Sequence, residues 1–173
     1  TIGQWKPDPS ISLEHLANWS RNYIMQPAVF WNRRMWDAAG PLREDFHYAM
    51  DFDLWLRFIK VSEPVVIQSP VGMHRSHGAT KTSLVGRRIF DEYRIALRSR
   101  LGDRAKILQM GLADVARSAS HSANASMYSL QRGRCLALLH TALMANPRAF
   151  VNPNYQKALL KFINPLQPDK TAA

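Results

Sequence analysis

Apolar residues recur at helical spacing through most of the chain, and two short runs depart from that rhythm. Leu13, Leu16 and Trp19 share one face of a short predicted helix behind a proline-bearing loop. Met35, Trp36 and Ala39 line a second, which Gly40 and Pro41 stop. Phe52, Trp55, Leu56 and Ile59 follow the i, i+3, i+4, i+7 pattern of a third, with Asp51 at its start. The branched and aromatic residues of 28–31 and of Pro64 to Ile67 predict strands instead, with Pro27 placing the first at a sheet edge or a loop-to-strand entry.

Residues 72–82 are polar and basic, with Gly78 as turn punctuation, which predicts a functional loop. From Leu84 onward the periodicity is helical throughout. Val85, Ile89, Tyr93 and Ala96 form one stripe, and Leu101, Ala105, Leu108, Leu112 and Val115 another. Arg134 to Ala145 ends at Asn146-Pro147, and Tyr155 to Ile163 lies between Asn152-Pro153 and Asn164-Pro165. The chain therefore divides near residue 84 into a mixed α/β piece, 1–83, and an α-helical extension, 84–173.

A chain of 173 residues with 46% apolar content can bury one core plus an appendage. The single cysteine, Cys135, sits in an apolar run and packs as a small hydrophobe. Polar residues interrupt every hydrophobic run before the roughly 18 residues a membrane span needs. The first residue is Thr1, which reads as a fragment. A net charge of +10 predicts attraction to a polyanion: a nucleotide diphosphate, an anionic lipid surface or nucleic acid. No helix-turn-helix, zinc or base-stacking signature accompanies the charge, so nucleic acid is not an expected partner.

Four segments occur in order: QPAVFWNRR at 26–34, AG at 39–40, YAMDFDLWLR at 48–57 and HRSHGATKT at 74–82. Together this set resembles the second half of the family 2 glycosyltransferases, over residues 15–85. The resemblance implies an α/β fold, the C-terminal portion of a GT-A nucleotide-diphospho-sugar transferase followed by a helical appendage. It implies inverting transfer of a sugar from a nucleotide-diphosphate donor to the hydroxyl of a glycan or lipid-linked acceptor, in polysaccharide or glycoconjugate biosynthesis at the cell envelope. A cytoplasmic location follows, peripheral at the inner face of the membrane, with Mn²⁺ or Mg²⁺ as cofactor of the complete enzyme. The donor-binding half with its acidic metal motif is not in this sequence, so the chain by itself is expected to be inactive.

Residue by residue, Asp51 matches the general base. A single displacement needs a carboxylate within reach of the attacking hydroxyl, and a helix N-terminus favours the ionised form. An Asp there also caps its helix, and both roles can hold together. Asp53 points about 200° away and suits an ion pair with Arg57. His77 matches the loop histidine near the donor diphosphate or its metal, the alternative being a solvent-facing or structural histidine. Arg75, Lys81 and Thr82 offer charge and hydroxyl groups to the departing diphosphate, and Gln26 matches the start of the acceptor-side segment. The competing reading is a non-catalytic basic module. Here Arg87, Arg88, Arg94, Arg98, Arg100, Arg104 and Lys106 form a face for an anionic membrane or a protein partner.

Overall fold

A computed structural model describes residues 9, 11–18, 20, 24–73, 86–128 and 132–164. Its α-helices are α1 (Leu13–Ala17), α2 (Arg33–Ala39), α3 (Met50–Val61), α4 (Arg87–Leu101), α5 (Ala105–Tyr128), α6 (Arg132–Ala145) and α7 (Pro153–Ile163). Short 3-10 turns occur at Gln26–Ala28 and Pro147–Val151. Trp19 and the 74–85 stretch lie outside the described residues.

Local chemistry sets most of the helix ends. Ser12 and His15 form a reciprocal capping box on α1. The Asn32 side chain accepts from the Met35 backbone N–H at 2.9 Å, and α2 stops where Gly40 precedes Pro41. Asn152 accepts from Asn154 and Tyr155, with Pro153 in the first turn of α7. Asn146 opens the 3-10 turn that follows α6.

Packing separates the chain into two compact units, one ending at Asp114 and the other beginning at Val115, so the division falls inside α5. In the first unit α3 is the hub, and α1, α2 and α4 all pack on it. Its composition requires this position: Phe52, Leu54, Trp55, Leu56 and Phe58 are all buried, which leaves the helix apolar around most of its circumference. Gly111 of α5 permits a close approach in the same unit, since a Cβ there would meet the Leu97 side chain at 2.9 Å and the Ala17 carbonyl oxygen at 3.1 Å. The second unit has a core rich in small residues, with Ala119, Ala123, Ala142, Ala145 and Ala158 buried beside Leu138 and Leu139. Within it, α6, the Pro147–Val151 turn and α7 pack on one another.

The expected α/β architecture is not what forms. The described residues contain helices and no strand, so the chain is not an α/β GT-A fold. The two predicted strand segments keep an extended character without pairing. Val29 and Asn32 have β-region dihedrals, and residues 63–68 are neither helix nor ladder. A strand is completed only by hydrogen bonds to a neighbour, and none of the described backbone bonds joins these segments to another extended segment. Their side chains stay outside: Val65 is 91% exposed and Phe30 71%.

Candidate functional site

The face of α3 that carries Asp51 also carries Trp55 and Phe58, four and seven residues later, because those spacings return to the same side of a helix. Trp31 lies on that face. Its ring centroid is 5.8 Å from that of Trp55, 5.6 Å from that of Phe58, and 6.2 Å from that of Trp36 in near-parallel stacking. Trp55 and Phe58 are buried, whereas Trp31 keeps 44% of its surface exposed. The Trp55 indole N–H is buried and meets no acceptor among the described residues. The result is a half-buried carboxylate one turn from an aromatic platform with one open ring.

Asp51 sits in the first turn of α3 and accepts from the Phe52 backbone N–H at 2.7 Å. Burial pushes its carboxyl above the ordinary aspartate range, and the opposing pull of backbone hydrogen bonds is outweighed. The helix terminus therefore does not decide its protonation as the sequence suggested. No ion pair with Asp51 occurs among the described residues.

The chain leading into α3 is held by another residue. Ala49 is the N-cap of α3 and makes no side-chain bond. Glu92 of α4 instead accepts from the backbone N–H groups of His47 at 2.9 Å, Tyr48 at 2.6 Å and Ala49 at 3.0 Å, and pairs with Arg88 at 2.8 Å. Burial alone raises a carboxylate, but here those three amides and the guanidinium prevail, and Glu92 lies below its usual range. This clamp was not found from sequence. The Arg88–Glu92 spacing signals a helical pair, whereas nothing in one dimension relates Glu92 to residues 47–49.

Asp53 faces away from Asp51 and is fully buried. It pairs with Arg57 at 3.1 Å, as the spacing predicted, and also with Arg100 at 2.7 Å. Arg57 donates further to the carbonyls of Ala39 and Pro41, tying α2 and its exit to α3. The two acidic residues of the Asp-Phe-Asp string thus do different work. One is held between cations, and the other is left available.

Gln26 is exposed in its 3-10 turn. The backbone of Gly72 abuts this turn, where a Cβ would come within 2.6 Å of the Pro27 carbonyl oxygen. Arg75, His77, Lys81 and Thr82 lie outside the described residues, as does His74. Among the described residues no three His, Cys, Asp or Glu side chains converge, so these residues do not supply the oxygen-rich set that Mg²⁺ or Mn²⁺ takes. No helix among them is long and apolar enough to cross a membrane.

The basic face foreseen after residue 84 is largely compensated. Arg87 and Arg94 pair with Asp91, Arg88 with Glu92, Arg100 with Asp53, and Arg104 approaches Asp103 at 4.0 Å. No protein-family model, no curated protein and no solved structure matches the chain.

Proposed function

We propose that the first unit forms the acceptor side of an inverting glycosyl-transfer site, with Asp51 as general base. The observation that carries this reading is the half-buried Asp51 carboxylate, raised above its ordinary range, on the same α3 face as the aromatic platform of Trp31, Trp55 and Phe58. Sugar rings present C–H faces that pack on aromatic rings, and Trp31 keeps an open ring for such a contact. A carboxylate becomes a more effective base as its pKa rises toward the working pH.

In the proposed reaction Asp51 takes the proton of the acceptor hydroxyl as that oxygen bonds to the anomeric carbon. The bond from that carbon to the diphosphate oxygen breaks on the opposite side, and its electron pair leaves with the nucleoside diphosphate. Arg75, His77, Lys81 and Thr82 are the groups proposed to face that developing charge, and Gln26 to bind the acceptor. Mn²⁺ or Mg²⁺, with the nucleotide sugar, remains part of the proposed complete system, but no step here runs through the metal. The proposed setting is the cytoplasmic face of the cell envelope, in polysaccharide or glycoconjugate synthesis.

The test is transfer by the natural protein, followed as release of nucleoside diphosphate from a panel of nucleotide sugars. Asp51→Asn should lower the rate by about a hundredfold or more with the circular dichroism unchanged. Trp31→Ala should raise KM for the acceptor with a smaller effect on kcat. Full transfer by Asp51→Asn eliminates the base assignment, and no transfer from any nucleotide sugar by the unmodified protein rejects the activity.

A further inference from the structure

Several of the larger apolar side chains of the second unit face outward. On α7 the buried residues are Tyr155 and Ala158, while Leu160 and Ile163 are 66% and 68% exposed. Pro153, Gln156, Lys157, Leu160, Ile163 and Asn164 are the exposed positions, and at 100° per residue they occupy a single stripe about 120° wide. The turn that leads into this helix adds Phe150 and Val151, 54% and 70% exposed, with the Phe150 ring 6.0 Å from that of Tyr155. Exposed Arg148 lies in the same turn. Single exposed apolar residues are ordinary, but four within one short helix and its lead-in are not.

Charge identifies the occupant. From Val115 to the end the chain has seven Lys or Arg and one carboxylate, Asp169, with no acidic residue between Asp114 and Asp169. A second copy of this unit would bring cations against cations. Nucleic acid would satisfy the charge and leave Leu160, Ile163, Phe150 and Val151 in water. A surface with anionic headgroups over hydrocarbon satisfies both. Eleven residues of helix span about 16 Å, too short to cross a bilayer and suited to lying along its interface.

We propose that the second unit docks on an anionic phospholipid surface, with Leu160, Ile163, Phe150 and Val151 entering the headgroup boundary and Lys157 and Arg148 facing the phosphates. The proposal rests on this face alone and stands apart from the activity assigned to Asp51.

The experiment is flotation of the full 173-residue chain with vesicles of phosphatidylcholine alone or with about a third phosphatidylglycerol, at low and high salt. Binding is expected to the anionic vesicles and to weaken as salt is raised. Leu160→Ser with Ile163→Ser should weaken it about tenfold or more. Lys157→Glu, at an exposed position where folding is not at stake, should weaken it about fivefold or more. Equal binding to neutral and anionic vesicles, no binding to either, or full binding by the Leu160/Ile163 variant overturns the proposal. So does sedimentation showing that those two residues instead hold a soluble dimer together.

Discussion

Asp51 and Glu92 respond to acid in opposite senses, which lets a single titration separate their roles. The Asp51 carboxyl is raised by burial, so its protonated form is favoured in the fold. Its contribution to stability is full below the ordinary value near 3.8 and is lost as pH rises through the folded value. Asp51→Asn should therefore melt at the same temperature or higher than the parent at neutral pH, with the difference vanishing in acid. Glu92 is lowered, so its contribution is present above the ordinary 4.5 and is lost as pH falls through the folded value. Glu92→Gln should cost roughly 2 kcal/mol at neutral pH and flatten the acid limb of stability, measured by urea unfolding across pH. Asp53 is a third case. Asp53→Ala leaves Arg57 and Arg100 without their buried counter-charge and should cost about 3–5 kcal/mol, whereas Arg100→Ala leaves the Arg57 pair standing and should cost less.

Among the elements, α7 offers the simplest check of local chemistry. Asn152→Ala removes its cap and should destabilise the second unit by about 1 kcal/mol, seen as faster amide exchange in the first turn of α7. The same kind of signal made α2, α6 and α7 legible in the sequence, because a cap, a proline or a glycine acts on residues within one turn of itself. The strands expected at 28–31 and 64–67 show the limit of that reading. Alternation and branching report a preference for extended backbone, which Val29 and Asn32 do adopt. Pairing depends on a second segment that no single run of residues describes. Asp51 was legible as a helix-start carboxylate. Trp55 was read in the apolar stripe of its helix and is buried there, whereas Trp31 was placed in a strand, and its open face depends on how α2 and its approach fold over α3.

At the scale of the whole molecule, the amphipathic periods announced the helices, while the choice of hub came from composition. A helix buried on nearly every side must be surrounded, and α3 is the helix with that make-up. The total charge was equally plain, but its distribution needed the ion pairs: α4 directs Arg87, Arg88 and Arg100 to Asp91, Glu92 and Asp53, and the stretch beyond Asp114 carries seven Lys or Arg against one acidic residue. Glu92 adds a constraint on assembly order. The start of α3 is closed by a side chain more than forty positions downstream, so a nascent chain that has not yet reached α4 lacks the lock on that end. A peptide comprising α3 without α4 should fray at Met50 and Asp51, and the proposed proton acceptor takes its final bearing only when the later helix arrives.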